Sequence, residues 1–263
     1  TETTTVIAFN DLPALEAALQ TGEIAAVIAE PVMTNCGMIL PQPGFHKALR
    51  ELTAQHGTLL ILDETHTLSS GPAGYTGEHG LQPDVLVIGK AIAGGVPAAV
   101  WGVTADLAKR MDVAQLRAGP GSSGIGTTLS GNALAMRAMH VMLTEVMTDD
   151  AYAHMLAGAD QLVQVLRDVI DQHGVPWTVV HVGARAELIF APQPPHDAAA
   201  MRKVLDHDLL EAFHLFLINR GVLIAPFHNM MLISPETDSA ATQRLAAAVG
   251  EFAIAYKTFA HLA

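Results

Sequence analysis

Residues 84–95 read Asp-Val-Leu-Val-Ile-Gly-Lys-Ala-Ile-Ala-Gly-Gly, an apolar run that reaches Lys90 and continues into a glycine-rich stretch. A second apolar run, Thr-Leu-Leu-Ile-Leu at residues 58–62, stops at Asp63 and Glu64. A cation and an anion therefore each follow a hydrophobic run that predicts a β-strand. In an open α/β sheet, ligands bind in the crevice beyond the carboxyl ends of the strands. The two runs thus predict an α/β fold with a ligand site near Lys90 and Asp63.

The pairing of an amine with a carboxylate suits one cofactor in particular, pyridoxal 5'-phosphate. Its chemistry needs a lysine amine to form a Schiff base and an acid to hold the pyridine nitrogen protonated. An ordinary lysine amine has a pKa of about 10.4 and is a poor nucleophile at neutral pH, so we expect the preceding apolar run to bury Lys90. Taken alone, Lys90 fits better as an ordinary loop lysine and Asp63 as a strand-end acid, but the two together with their flanking sequence favour the cofactor site.

The composition narrows the class of protein. The formal net charge of -12 argues against nucleic acid or an anionic membrane as a partner. No uninterrupted apolar run approaches the roughly 18 to 20 residues that span a bilayer, and the single cysteine, Cys36, excludes an internal disulfide. We therefore expect a soluble, cytoplasmic protein. The 13 histidines form neither an H-E-x-x-H motif nor a Cys/His cluster, so no metal site is predicted.

Short apolar runs alternate with helical stretches between residues 24 and 103, a pattern typical of βαβ units and a parallel sheet. From Asn132 the character changes to long helices followed by shorter strands. We predict part of a large α/β domain over residues 1–149 with a mostly parallel sheet, then a connecting helix and a small α+β domain over residues 150–263. The predicted strands cover residues 24–29, 59–62, 85–88, 98–103, 178–182 and 186–191, with two more after residue 220, and the predicted helices cover residues 45–56, 132–148, 150–172, 197–220 and 239–259.

Five short motifs follow one another along the chain. They are Ala-Glu-Pro-Val at residues 29–32, a helical segment from Gly44 to Arg50, Ile-Leu-Asp-Glu-Thr-His-Thr at 61–67, Val-Ile-Gly-Lys-Ala-Ile-Ala-Gly-Gly-Val-Pro at 87–97 and Thr-Leu-Ser-Gly-Asn at 128–132. In this order they resemble the cofactor-binding segments of class III aminotransferases, pyridoxal phosphate enzymes of fold type I that include glutamate-1-semialdehyde aminomutase. The resemblance covers nearly the whole chain. At position 35 the chain has an asparagine, as the aminomutase branch of the family does.

Members of this family carry two further features before the position equivalent to Thr1. These are a Gly-Ser/Thr-rich phosphate loop and an aromatic residue that stacks on the cofactor ring. Neither has a counterpart in this sequence. We therefore expect the chain to match only the C-terminal three-fifths of the family, with catalysis dependent on residues upstream of Thr1.

The resemblance assigns cofactor roles to four residues. It implies that Lys90 is the Schiff-base lysine and later the base that moves a proton between Cα and C4′, and that Asp63 is the partner of the pyridinium nitrogen. Thr65 and His66 depart from the family pattern, which has a valine under the ring and Gln or Met near the phenolic oxygen. We place both residues in the cofactor site, with His66 either hydrogen-bonded to the cofactor or simply packed.

Three further residues acquire roles through the resemblance. Thr128 aligns with the residue that binds the cofactor phosphate of the neighbouring subunit, which implies a homodimer with shared active sites. A hydroxyl just before a helix N-terminus also suits an anion. Asn35 bears on the substrate class, because relatives that act on 4-aminobutyrate or ornithine have a glutamate there. We expect Arg185 to meet either a substrate carboxylate or a neighbouring acid such as Glu187.

Together these features predict an aminotransferase that moves an amino group between an amino acid or amine and a keto acid or aldehyde. Aminomutase, racemase and decarboxylase activities stay open, because the reaction depends on which Cα bond is held perpendicular to the cofactor ring. A non-catalytic subunit of the same fold is a further alternative, although the presence of both Lys90 and Asp63 speaks against it. The G-x-G-x-x-G match at residues 119–124 is rejected as a dinucleotide site, because no predicted strand precedes it and it does not open a helix directly.

Overall fold

The computed structural model describes residues 3–119, 125–126, 128–225 and 228–260. Nine α-helices and seven strands lie within these ranges, and the strands form two separate sheets. The helices are α1 (Leu12–Leu19), α2 (Phe45–Gln55), α3 (Gly74–Glu78), α4 (Ala105–Arg117), α5 (Ala133–Val141), α6 (Asp149–His173), α7 (Ala198–Val204), α8 (His207–Ile218) and α9 (Ser239–Ala260). No helix in the described ranges is long and apolar enough to cross a bilayer.

The first sheet contains the strands on which the predicted site depends. Its order is β1 (Ala26–Ala29), β2 (Leu59–Asp63), β3 (Val85–Ile88) and β4 (Val100–Val103). The first three strands run parallel, and β4 pairs antiparallel with β3 at the edge. The register pairs Asp63 with Val87, so β2 and β3 end at the same edge of the sheet. The predicted α/β class with a mostly parallel sheet is confirmed.

Helices α1 and α2 cover one face of this sheet. They contribute Leu15, Leu19, Phe45 and Leu49 to a core that also contains Leu60 and Leu62 of β2, the two β2 residues that point to this face. Successive residues of a strand point to opposite faces. On the other face, Ile28 is 68% exposed and Trp101 is 50% exposed. Every residue of β3 is accordingly only partly buried in the described chain.

The second sheet is antiparallel, with the order β5 (Thr178–Val182), β6 (Arg185–Ile189) and β7 (Met230–Leu232). The long helices α6 and α9 pack together against it. Their shared core is rich in aromatic rings, because Trp177, Phe190, Phe213 and Phe252 contact one another with ring centroids 4.9 to 6.2 Å apart. Helix α6 ends as its sequence predicts, with Gly174 in the left-handed conformation directly after His173.

Several elements differ from their predicted extent. The predicted helix over residues 197–220 is two helices, because Asp197 and Asp206 each accept a backbone hydrogen bond as an N-cap and so start a helix. Helices α1, α3 and α4 were not predicted. The predicted helix over residues 132–148 ends at Val141 and continues as a π-turn over Met142–Val146. Only one of the two predicted strands after residue 220 is present among the described residues.

The two parts of the chain share a hydrophobic cluster across the predicted boundary at residues 149/150. Val32, Met38 and Tyr75 pack there with residues of the second sheet, namely Val180, Val182, Ile189 and Ala191. The Tyr152 hydroxyl also donates to the Leu68 carbonyl at 3.1 Å. The division into domains 1–149 and 150–263 stays a prediction.

The turn between β5 and β6 fixes the second sheet against the first part of the chain. Gly183 has φ +56°, and the Ala184 amide donates to the Ser69 carbonyl at 3.0 Å. A Cβ atom at Gly183 would lie 2.3 Å from Ser70 Cα and 2.7 Å from Ser69 O. Both contacts are with backbone, which cannot move aside as a flexible side chain can.

We expect Gly183→Ala to lower the free energy of unfolding by about 2 to 4 kcal/mol, because it adds a clash to the cost of a left-handed alanine. Gly174→Ala is the matched control, since Gly174 has φ +58° but a Cβ atom there would meet no other atom within 4 Å. That variant should lose only about 1 kcal/mol. Urea unfolding midpoints of both variants measure the difference, and equal losses would contradict the close packing of this turn.

Candidate active site

Charged residues lie at the ends of the three parallel strands, at one edge of the first sheet. Glu30 follows β1 directly, Asp63 is the last residue of β2, and Lys90 lies two positions beyond the end of β3. The Glu64 amide donates to the Val87 carbonyl at 2.8 Å, which keeps β2 and β3 together up to this edge. Two carboxylates and an amine therefore converge where ligands bind in open α/β sheets.

The Asp63 carboxylate is held by its own turn. The Thr65 amide donates to Asp63 Oδ1 at 2.9 Å. No described residue donates a hydrogen bond to the second oxygen, Oδ2, and no ion pair joins Asp63 to Lys90 within the described ranges. One carboxylate oxygen is thus fixed by the backbone, and the other has no hydrogen-bond donor among the described residues.

Lys90 begins a short 3-10 turn, Lys90–Ala93, in which it adopts a φ of +48°. The turn is anchored by Ile92 and Ala93, which pack against Met139 of α5. Gly89 is buried, but Lys90 itself is exposed. The expectation that the preceding apolar run buries Lys90 is therefore wrong for the described chain, because the strand ends before the lysine and the side chain leaves the sheet edge.

Thr65 lies beside the backbone that precedes the lysine. A Cβ atom at Gly89 would lie 3.3 Å from Thr65 Oγ1 and 3.6 Å from Thr65 Cγ2. These distances show that the threonine side chain packs closely over the glycine. Thr65 therefore occupies the space between the Asp63 turn and the Lys90 turn.

His66 is the most connected side chain of the site. It is 7% exposed, its Nε2 atom contacts Lys90 Nζ, and its Nδ1 atom lies 2.6 Å from Thr34 Oγ1. Burial lowers the pKa of His66 to about 4, and the neighbouring Arg185, Lys90 and His228 add to this effect while Asp63 opposes it. His66 is thus both a packed, satisfied histidine and a neutral neighbour of the lysine amine.

Arg185 reaches the same segment from the second sheet. Its Nε atom donates to the His66 carbonyl at 2.9 Å and to Ser69 Oγ at 3.1 Å, and its Nη1 atom lies 3.9 Å from Met230 Sδ. Arg185 forms no ion pair with Glu187 in the described structure, since Glu187 Oε1 lies 3.6 Å from His228 Nδ1 instead. The alternative of an Arg185–Glu187 salt bridge is therefore wrong.

Glu64 fixes the loop that follows Asp63, a role not predicted from the sequence. Its carboxylate is 1% exposed and accepts from the amides of Tyr75 at 2.7 Å and Thr76 at 2.6 Å, and from the Thr67 hydroxyl at 3.3 Å. A buried carboxylate needs such donors to compensate for lost hydration. Thr34 and its contact with Glu30 were also not predicted, although the position of Glu30 after a predicted strand was an available signal.

Thr128 and Asn35 stand apart from this cluster. Both residues are exposed, and neither shares a hydrogen bond or an ion pair with Lys90, Asp63 or His66 among the described residues. Thr128 lies in the turn before α5, whose N-cap Asn132 accepts from the Ala135 amide at 2.9 Å.

The rejected G-x-G-x-x-G match lies mostly outside the described residues. Among the described residues, no group of His, Cys, Asp and Glu side chains is arranged to hold a metal ion.

The chain matches the family described as aminotransferase class-III over residues 2–249. It is also similar to a glutamate-1-semialdehyde 2,1-aminomutase of Anaeromyxobacter sp. (strain K), with 37% identity over 256 residues that cover 95% of this chain and 57% of the relative. The chain spans about 57% of the length of the curated relatives it matches, so the matched region is a part of those proteins.

Solved structures give the same result in three dimensions. A glutamate-1-semialdehyde aminomutase from Pseudomonas aeruginosa PAO1 in complex with PMP superimposes with a TM-score of 0.90 at 45% identity, covering 94% of this chain and 56% of that chain. A β-phenylalanine aminotransferase from Variovorax paradoxus superimposes with a TM-score of 0.86 at 28% identity, covering 97% of this chain and 58% of that chain. These similarities confirm the predicted fold, and the chain belongs to the class III aminotransferase family.

Proposed function

We propose that this chain is the lysine-bearing part of a pyridoxal phosphate-dependent aminotransferase. The enzyme moves an amino group between an amino acid or amine and a keto acid or aldehyde. The observation that carries the proposal is the convergence of the Lys90 amine and the Asp63 carboxylate at the ends of adjacent parallel strands. Membership of the class III family supports the same chemistry.

The side chains at this edge suit pyridoxal phosphate in their chemistry. Lys90 offers a primary amine, and Asp63 offers a carboxylate whose Oδ2 atom is open while Oδ1 is held by the Thr65 amide. Thr65 and His66 stand beside these two groups, and we propose that both line the cofactor ring. The set has an amine for covalent attachment and an anion for a protonated ring nitrogen.

When bound, the cofactor supplies an aldehyde that takes up the amino group and a ring that withdraws electrons from the reacting carbon. Lys90 would hold the cofactor through its amine and would carry a proton at Nζ. Asp63 would favour a protonated ring nitrogen, because an anion favours the charged form of its neighbour. Arg185 is proposed to bind a substrate carboxylate, since its Nη2 atom makes no hydrogen bond to a described residue. Asn35 is proposed to contact the substrate from the loop after Glu30.

The proposal extends to the assembly and location of the enzyme. Thr128 is proposed to bind the cofactor phosphate of a neighbouring subunit, so the enzyme would be a homodimer with shared active sites. Its exposed position before α5 is compatible with a contact outside its own chain. The net charge of -12 supports a small-molecule substrate rather than nucleic acid or a membrane surface. We propose a cytoplasmic location.

Aminomutase activity is the second candidate, and the relatives favour it. Proteins named as glutamate-1-semialdehyde aminomutases reach 37% identity among the curated relatives and 46% among the solved structures. An aminomutase moves the amino group within one molecule and needs no second substrate. Incubation of the enzyme with glutamate-1-semialdehyde alone distinguishes the candidates, because a transaminase would need an added amino donor or acceptor to turn over.

We expect Lys90 to carry the cofactor. Borohydride treatment of the enzyme incubated with pyridoxal phosphate should fix a phosphopyridoxyl group on one lysine as a stable secondary amine. Mass spectrometry of the digested protein should locate this group on Lys90, and Lys90→Ala should remove it. Finding it only on another lysine, namely Lys47, Lys109, Lys203 or Lys257, or on no lysine at all, would overturn the proposed function.

Asp63→Asn should leave the cofactor bound but lower turnover by several orders of magnitude, because a neutral amide does not favour a protonated ring nitrogen. Cofactor absorbance after gel filtration measures binding, and steady-state kinetics measure turnover. Asp112→Asn makes the same change on the exposed face of α4 and should alter neither. Near-normal turnover in Asp63→Asn would remove Asp63 from the mechanism.

Thr128→Ala should weaken cofactor binding by about 1 to 3 kcal/mol, the cost of a lost hydrogen bond to a charged group. Fluorescence titration with pyridoxal phosphate measures the affinity. Thr258→Ala is a suitable control, because among the described residues the Thr258 hydroxyl bonds only to the Ile254 carbonyl of its own helix. A fully active monomer would be incompatible with a phosphate site shared between subunits.

A further inference from the structure

Four side chains from three segments form a continuous hydrogen-bonded series that ends at the proposed cofactor lysine. Lys90 Nζ contacts His66 Nε2, the opposite ring nitrogen of His66 lies 2.6 Å from Thr34 Oγ1, and the Thr34 hydroxyl donates to Glu30 Oε2 at 2.5 Å. The proposed function uses the Lys90 amine at one end of this series and places the His66 ring beside the cofactor. It gives Thr34 and Glu30 no role, and it makes no use of the hydrogen bonds that link them to His66.

The hydrogen bonds in this series have a definite direction. The Thr34 hydroxyl has a single proton and donates it to Glu30, so its oxygen accepts from His66. His66 must then carry its proton on Nδ1, because the hydrogen bond of one ring nitrogen determines the state of the other. The lone pair of Nε2 therefore faces Lys90 Nζ and accepts one of its protons.

The surroundings keep His66 neutral. Thr34 is fully buried, and the lowered pKa of His66, about 4, leaves the ring uncharged at physiological pH. The charged and titratable groups that act on His66 are Arg185, Lys90, His228 and Asp63. Because an imidazolium is costly here, the ring can take a proton at Nε2 only as it releases the proton on Nδ1 to Thr34, so that it stays neutral throughout.

Glu30 is suited to hold a proton at the far end. Its carboxyl group is only partly exposed, and burial raises its pKa. Asp63 adds to this effect, whereas the hydrogen bonds from Thr34 and the charge of Lys90 oppose it. The neutral acid is thus less costly at this position than on the protein surface.

We propose that His66, Thr34 and Glu30 form a relay that accepts a proton from the Lys90 amine and returns it. Lys90 Nζ gives a proton to His66 Nε2, His66 Nδ1 gives its proton to Thr34 Oγ1, and Thr34 gives its own proton to Glu30 Oε2. An ammonium and a carboxylate become an amine and a carboxylic acid, so protons and charge balance. His66 touches the reacting amine, and Thr34 and Glu30 act through it as positioning residues.

The arrangement has the features of an activated nucleophile. Such sites place a base within hydrogen-bond reach of the nucleophile and a third group that orients the base. The relay rests on the proposed function, because it contributes to catalysis only if Lys90 is the residue that binds the cofactor. It also replaces burial as the source of lysine reactivity, since Lys90 itself is exposed.

The tautomer of His66 tests the relay directly. In the ¹⁵N NMR spectrum of the cofactor-free chain, with the His66 signal assigned by its loss in His66→Gln, we expect a protonated Nδ1 and an unprotonated Nε2 at neutral pH. Thr34→Val keeps the size of the side chain and removes the hydroxyl, so the Nδ1-protonated form should lose its preference. Thr34→Ser retains the hydroxyl and should behave as the wild type. A wild-type ring protonated on Nε2, or no change in Thr34→Val, would overturn the relay.

The reactivity of Lys90 provides the second measurement. Trace labelling of the cofactor-free chain with acetic anhydride, a neutral reagent, followed by peptide mass spectrometry gives the acetylation rate of each lysine. We expect His66→Gln and Thr34→Val to slow acetylation of Lys90 by about tenfold or more. Lys109, which is exposed on α4, is the internal reference in the same digest.

Glu30→Gln separates a relay from a simple charge effect. Loss of a nearby anion by itself makes an ammonium group easier to deprotonate, so a charge effect would speed acetylation of Lys90. A relay that loses its terminal acceptor would slow it. Glu51→Gln, which removes a carboxylate 3.9 Å from Lys47, should leave Lys90 unchanged. Faster acetylation of Lys90 in Glu30→Gln would reject the relay.

These measurements do not depend on the cofactor. If borohydride marks no lysine while the tautomer and labelling results hold, the proposed function fails and the relay stands. If Lys90 is marked but His66 is protonated on Nε2, the relay fails and the proposed function stands.

Discussion

The parallel pairing of β1, β2 and β3 is the constraint on which the site depends. Parallel strands end at the same edge of a sheet, so the residues that follow them are brought together whatever their distance in sequence. Glu30, Asp63 and Lys90 each lie at the end of one of these strands or just beyond it. An acid, a second acid and an amine thereby share one edge, and the chemistry proposed for the chain follows from that geometry.

Buried polar groups then fix the loops that leave this edge. Glu64 accepts two backbone amides and one hydroxyl, and His66 is bonded through both ring nitrogens and through its carbonyl oxygen. An unpaired buried polar group is costly, so these bonds select one conformation of the loop. The Asp63 carboxylate and the Lys90 amine are thus positioned by a loop whose shape is set by its own buried hydrogen bonds.

The second sheet completes the support of the site from outside the first. Arg185 binds the His66 carbonyl and Ser69, and the tight turn at Gly183 lies against the backbone of Ser69 and Ser70. The same segment, residues 66–70, is thus held between two parts of the chain. A change in the turn at Gly183 would be transmitted to the histidine that contacts the lysine.

The sequence by itself determined the fold class, the strand ends at Asp63 and Lys90, and the family. Those signals are local, because a short apolar run with a charged residue after it predicts both a strand and its end. Only the tertiary structure decided that Arg185 bonds to the His66 carbonyl rather than to Glu187, that Thr34 and Glu30 meet His66, and that Lys90 is exposed. These features depend on which strands pair and on how the two sheets pack. Neither the pairing nor the packing can be predicted from the sequence of a single segment. The break between α7 and α8 is local instead, since the side chain of Asp206 caps a new helix within a pattern that predicts one continuous helix.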